Sequence, residues 1–283
     1  MIAYHRPDTL SDALAILAAN PVTLAAGCTD LFAATEAPEL PGPVLDLTAI
    51  ADLRGVVSTP EGWRIGATTT WSGIIAAELP CAFDMLKQAA AEVGSVQIQN
   101  AGTIAGNLCN ASPAADGVPP LLALDASVEL ISASGRRQVP LDRFLTGVRR
   151  TVLRPGEILS AILIPKSAKQ GQSQFRKLGA RKYLVISIAM VAVRLVQEQG
   201  RVREIAISVG SCSAVATRLT ALETRLTGLS VNQLTAEIDE PALADVLSPI
   251  TDVRGDAAYR ITAATELLRR ILSDLVILPE GVS

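Results

Sequence analysis

The residues best suited to chemistry in this chain lie in two glycine-bearing turns, LAAGCTDL (Leu24 to Leu31) and GTIAGN (Gly102 to Asn107). Their types suit binding rather than bond-breaking. Small residues let a backbone approach a ligand closely, and successive turn N–H groups form a concavity that accepts an anion. Thr29, Thr103 and Ser112 add hydroxyl donors, and Asn107 adds an amide. Two such turns could hold a diphosphate without any lysine. They could equally be tight connections between strands and helices, and the residues alone leave both readings open. The second turn belongs to a longer stretch, AGTIAGNLCNASPAAD (Ala101 to Asp116), rich in turn-formers and without histidine, lysine or a carboxylate pair.

Other site chemistries lack their residues. The one histidine, His5, cannot build a metal site alone, and a serine nucleophile would have no other base. Cys28, Cys81, Cys109 and Cys212 are scattered without a C-x-x-C pair, so neither a metal centre nor an iron–sulfur centre is expected in this chain. No G-x-x-x-x-G-K-[ST], G-x-G-x-x-G or G-x-S-x-G motif occurs. Asn110-Ala111-Ser112 matches a glycosylation sequon, which reads as chance without a secretory signal. The net charge of -3, with dispersed basic residues, argues against a nucleic-acid partner. The N-terminus lacks an apolar signal run, and no stretch approaches the roughly 18 apolar residues of a membrane span. The chain is therefore expected to be cytoplasmic, with no membrane span.

The elements that must position the two turns follow from periodicity. Hydrophobic residues are 49 % and aromatics 3 %, so the cores should be aliphatic. Thr9 caps an expected helix with Leu10, Leu14 and Leu17 on one face. Val22 to Ala26 reads as a buried strand ending at the first turn, and Val44 to Leu47 as another after the loop PELPGP. A second α/β unit follows, with strands at Trp63 to Ala67, Ser127 to Ser132 and Glu157 to Ile164. Its helices are expected at Thr68 to Ala77, Pro80 to Val93 and, as one or two turns, Val118 to Leu124. The polar run KSAKQGQS (Lys166 to Ser173) reads as a linker. Beyond it, Ser187 to Val196 and Val202 to Val209 suit a hairpin across Gln199-Gly200, followed by helices at Ala214 to Leu226 and Tyr259 to Leu275.

At the two turns the sequence resembles the FAD-binding subunits of the molybdenum hydroxylases, the family of xanthine dehydrogenase, aldehyde oxidase and carbon monoxide dehydrogenase. LAAGCTDL resembles the family's L-A-G-G-T-D-L turn, and GTIAGNLCNASPAAD its T-I-G-G-N-x-x-x-A-S-P-x-x-D loop. YHRPDTLSDALAIL, GEILSAILIP, FRKLGARKYLVISIAMVAVRL and DVRGDAAYR resemble further family segments in the family's order, so the likeness spans the chain.

The resemblance implies an α+β fold. A vanillyl-alcohol-oxidase-type FAD-binding domain of two α/β subdomains (residues 1–53 and 54–166) would precede a C-terminal antiparallel sheet-and-helix domain (174–283). FAD would lie extended between the first two. Carried over by position, Leu24, Ala25, Ala26 and Gly27 would wrap the diphosphate and ribityl chain, with Cys28, Thr29, Asp30 and Leu31 continuing the turn. Thr103, Ile104, Ala105, Gly106 and Asn107 would close it from the other side, with Ser112 adding its hydroxyl. Asp116 would hold the adenosine end, Leu159 would give an apolar and backbone contact, and Lys177 would stand near the flavin as a cation.

The chain departs from the family pattern at three places. Cys28 and Ala105 replace the second glycine of each turn, so both turns must accept a Cβ. Leu184 and Val185 stand where many members place an acidic residue. Neither His5 nor any cysteine matches a covalent flavin anchor, so FAD is expected to bind noncovalently. The family role needs no catalytic residue or metal ligand here: the chain would take electrons from two [2Fe-2S] centres on a small partner subunit and pass them to an external acceptor. A large molybdopterin-binding subunit would carry the molybdenum cofactor, in a dimer of heterotrimers. The alternatives are a self-contained FAD-dependent oxidase, for which this chain lacks bases and aromatics, and a nucleotide-binding scaffold.

Overall fold

The computed structural model describes residues 3–36, 40 and 42–277, with the backbone only at position 277. The loop expected at PELPGP lies partly outside the described residues. The first unit opens with β1 (Tyr4–His5) and α1 (Leu10–Ala19), followed by β2 (Thr23–Ala25) and β3 (Val44–Asp46). Thr9 caps α1 by accepting a hydrogen bond from the Asp12 N–H. The strands form a parallel sheet in the order β1–β3–β2, and α1 buries Ala13 against Leu45, Leu47, Ile50 and Leu53.

The second unit begins with β4 (Val56–Thr59) and β5 (Gly62–Gly66). Five short helices follow: α2 (Trp71–Ala76), α3 (Asp84–Glu92), α4 (Val96–Ala101), α5 (Ile104–Asn110) and α6 (Val118–Ala123). Then come β6 (Ser127–Ser132), β7 (Gly135–Pro140), the single turn α7 (Leu141–Phe144), the small hairpin β8 (Leu145–Gly147) with β9 (Arg150–Thr151), and β10 (Ile158–Pro165). The antiparallel sheet order is β4–β5–β10–β6–β7. A bulge at Ser160 shifts the β10–β6 register, and the Ser160 hydroxyl donates to the Glu129 carboxylate across it at 2.7 Å.

The third unit is the antiparallel sheet β11 (Gln172–Leu178), β12 (Ala189–Glu198), β13 (Arg201–Gly210) and β14 (Thr217–Arg218), followed by α8 (Thr220–Leu226), α9 (Glu240–Ala244) and α10 (Ala257–Ile277). Gln199 and Gly200 both take positive φ, 51° and 72°, which is the two-residue turn a twisted hairpin favours. The period of two in β12 divides its side chains between two cores. Met190 and Ala192 join the core that holds the second unit's helices, whereas Val191, Val193 and Leu195 pack in the core of α8 and α10. That double burial explains the apolar run Ile188–Val193, which Arg194 ends.

Two expectations need correction. The run Lys166–Ser173 is not a loose linker. Ala168 is fully buried, Lys166–Lys169 forms a 3₁₀ turn, and the Ser173 hydroxyl accepts from the Met85 N–H and donates to the Cys81 carbonyl. The stretch Ala101–Asp116 is not all turn: its middle is α5, capped at Thr103 and ended by Ala111 in the left-handed region at φ 47°.

Candidate functional site

The first turn leaves the parallel sheet at Ala25 and runs against the second unit at Gly27. A Cβ on Gly27 would stand 2.1 Å from the Ala101 carbonyl oxygen and 2.8 Å from the Gly102 Cα. No side chain fits there, so the two glycine turns touch backbone to backbone. The next residue, Cys28, has φ 57°, a left-handed conformation that costs an L-residue about 1–2 kcal/mol. Its Sγ lies 3.5 Å from the Ala26 carbonyl, and burial pushes the thiol pKa up, so it stays protonated near neutral pH. Ala105 carries no such strain. It sits in the first turn of α5 and donates its N–H to the Ala67 carbonyl.

Between the turns lies a cleft of about 440 Å³. It is lined by Leu24, Ala25, Ala26, Gly27, Cys28, Thr29, Asp30 and Leu31 on one side, and by Thr103, Ala105, Gly106 and Asn107 on the other. Leu159, next to the bulge in β10, closes it with Ile158. Thirteen of the residues expected in the site therefore share one cavity. Its remaining walls are chiefly apolar, with Leu47, Trp71, Val93, Ile98 and Leu153. Periodicity gave no sign of Trp71, Ile98 or Leu153, because each reaches the cleft through tertiary packing; Trp71 is buried with its indole against Gly117 and Gly102.

Among the described residues no lysine or arginine lines this cleft. Its polar groups are mainly backbone. Among the described residues the N–H groups of Gly27, Cys28, Thr29, Asp30 and Leu31 donate to nothing within the chain. In contrast, the α5 terminus has spent its first donors: Ile104 N–H on Thr69 O, Ala105 N–H on Ala67 O, and Gly106 N–H on the Thr103 hydroxyl. The Asn107 Oδ1 is buried with no hydrogen-bond partner among the described residues. An orphaned acceptor and a run of free turn N–H groups both call for a polar ligand. An extended dinucleotide fits this set: N–H groups for a diphosphate, an amide for hydroxyl or ring atoms, and apolar walls for flat rings.

Four expected residues stand outside the lining. Ile104 points into the core and is fully buried. The Ser112 hydroxyl accepts from the Ala114 N–H, a local turn contact. Asp116 and Lys177 pair with each other: Nζ to Oδ2 is 2.7 Å, and both side chains are more than nine-tenths buried. They cannot serve opposite ends of an extended dinucleotide, as the resemblance had placed them, and belong to one place. That place adjoins the cleft, because Lys177 Nζ also donates to the Glu92 carbonyl at 3.1 Å, beside the lining residue Val93. His5 lies on β1, outside the lining.

Comparisons with known proteins match nearly the whole chain. The FAD binding domain in molybdopterin dehydrogenase matches residues 1–167, and the CO dehydrogenase flavoprotein C-terminal domain matches residues 173–275. The chain is 31% identical over 281 residues to the xanthine dehydrogenase FAD-binding subunit of Escherichia coli O157:H7, covering 97% of this chain and 96% of that one. It is 28% identical over 274 residues to the carbon monoxide dehydrogenase medium chain of Hydrogenophaga pseudoflava, covering 95% of each. Among solved structures, a carbon monoxide dehydrogenase from Hydrogenophaga pseudoflava that lacks the Mo-pyranopterin moiety matches with a TM-score of 0.88 at 27% identity, covering 97% of this chain and 96% of that chain.

Proposed function

This chain belongs to the family of FAD-binding medium subunits of the xanthine dehydrogenase and carbon monoxide dehydrogenase type, and we propose that it holds one FAD noncovalently in the cleft between its glycine turns and is the electron outlet of a three-subunit oxidoreductase. The observation that carries this reading is the backbone contact at Gly27, which joins the two segments that line the cleft, one of them carrying five successive N–H groups that donate to nothing among the described residues. The N–H groups of residues 27–31 would bind the diphosphate, the Thr29 hydroxyl and Asn107 would bind polar atoms beside it, and Leu47, Trp71, Ile98 and Leu159 would enclose the rings. FAD supplies the exchange of electrons between one-electron and two-electron carriers.

The chain's own residues bind, orient and shield. Among the described lining residues there is no histidine or lysine, Asp30 stands as a single carboxylate without a paired acid or base, and burial pushes the Cys28 and Cys109 thiols up, so the cleft carries no acid–base pair or activated nucleophile for an organic substrate. That absence suits a subunit whose substrate is transformed elsewhere. The partners would be a small subunit with two [2Fe-2S] centres and a large molybdopterin-binding subunit, in a cytoplasmic dimer of heterotrimers, with electrons leaving to an external acceptor. Residues 1–53, 54–166 and 174–283 would act as two FAD-binding subdomains and a C-terminal domain. The test is co-expression with the candidate partners. A small iron–sulfur chain and a large molybdopterin chain should co-purify with this one, and the FAD-loaded chain alone should oxidise no organic substrate. Turnover by the isolated chain would contradict the reading.

A further inference from the structure

The buried pair Asp116–Lys177 has a third member that the site described above does not use. Ser187, in the segment leading into β12, is 2% exposed, and its hydroxyl donates to Asp116 Oδ1 at 2.6 Å. The backbone holds it there, because the neighbouring Ile188 N–H donates to the Leu178 carbonyl at 2.7 Å and sets Ser187 beside the end of β11. Lys177 comes from β11, Asp116 from the loop between α5 and α6, and the Glu92 carbonyl from the end of α3. The carboxylate thus has both oxygens occupied, one by an ammonium and one by a hydroxyl. The ammonium in turn points at the Glu92–Val93 edge of the cleft. Gly117, next to Asp116, packs against two lining residues, since a Cβ there would meet Trp71 at 2.4 Å and Asn107 Oδ1 at 3.0 Å. The three-part cluster therefore stands directly behind the cleft wall.

We propose that Ser187 is a positioning residue: its hydroxyl fixes the Asp116 carboxylate, which holds the Lys177 ammonium against the cleft edge and keeps the pair's net charge at zero beside the bound FAD. The proposal rests on the FAD reading above. Its physical basis is that a buried carboxylate deprived of one of two donors is costly to keep charged. The charged groups facing Asp116 are Lys177 and the Glu92 carboxylate, and burial already pushes the Asp116 pKa up. In Ser187→Ala the lost donor raises it further. Below the new pKa Asp116 takes up a proton, and the Lys177 charge stands uncompensated near the cleft. An uncompensated cation favours the more negative, reduced state of a neighbouring redox group, so its midpoint potential rises.

The experiment measures the midpoint potential of bound FAD against pH in the full-length chain and in Ser187→Ala and Ser187→Thr. FAD content and thermal unfolding are followed in parallel. Wild type and Ser187→Thr should follow one curve. Ser187→Ala should retain FAD, lie at a more positive potential at the acid end, and converge with the others as pH rises. Superimposable Ser187→Ala and wild-type curves overturn the proposal, as does a Ser187→Thr variant that behaves like alanine. Failure of the wild-type chain to take up FAD would fell both this and the functional reading. Normal uptake with superimposed curves would remove only the role of Ser187.

Discussion

Gly27 concentrates the site's geometry in one atom that is missing. Gly27→Ala would drive a Cβ into the Ala101 carbonyl and separate the two turns, so it should destabilise the fold by about 1–3 kcal/mol and weaken FAD binding. Thermal unfolding and a flavin titration check both effects. Cys28 tests the neighbouring position differently. Its left-handed backbone is what glycine adopts freely, so Cys28→Gly should change stability by less than about 1 kcal/mol and keep FAD, whereas the β-branched Cys28→Val should cost more and release it. The first turn was legible in the sequence because small residues and turn-formers advertise a close backbone approach, whereas most of the second proved to be the start of α5. The partnership of Asp116 and Lys177 was not legible. They lie 61 positions apart and meet only because β11 packs beside the loop that follows α5. The same holds for Trp71 and Ile98, whose apolar types say nothing about which cavity they wall.

The elements show why local pattern fell short in particular places. α5 looked like a loop because Gly106, Asn107 and Asn110 are turn-formers. It is a helix because Thr103 caps it, while Ile104 and Leu108, four apart, bury one face. α6 has no basic residue in its own last turn, and the C-terminal sheet supplies two. Arg194 from β12 donates to the Ala123 carbonyl, and Arg218 from β14 donates to the Leu122 carbonyl and to Asp125. These charge-assisted bonds satisfy the helix C-terminus and fasten it to the sheet. Arg218→Ala should therefore cost about 1.5–3 kcal/mol, measured by chemical denaturation. Arg137 of β7 binds Glu157, just before β10, through two hydrogen bonds of 2.7 and 2.8 Å. The guanidinium holds the Glu157 carboxyl below its ordinary value. A lowered folded pKa stabilises above the unfolded value and is lost as pH falls through the folded one. Acid should thus lower the thermal midpoint of the wild type more steeply than that of Glu157→Gln.

At the scale of the whole molecule, the decisive feature is that the C-terminal sheet completes the core of the FAD-binding part. Phe175, Met190, Ala192 and Ala206 lie in the same cluster as Phe83, Leu86, Ile104 and Leu121. A chain ending at residue 167 would expose that surface and lose Lys177 and Ser187, so it should fail to unfold cooperatively and fail to retain FAD. The full chain should instead unfold in one transition that shifts upward with added FAD. The most direct test of the account is a spectroscopic titration of apo-protein with FAD, run in parallel on wild type and Gly27→Ala. One FAD per wild-type chain, with a perturbed flavin absorbance that Gly27→Ala abolishes or weakens at least about tenfold, is the expected result. Absence of binding to the wild type, or equal binding by both proteins, would contradict the claim that the joined glycine turns form the flavin cradle.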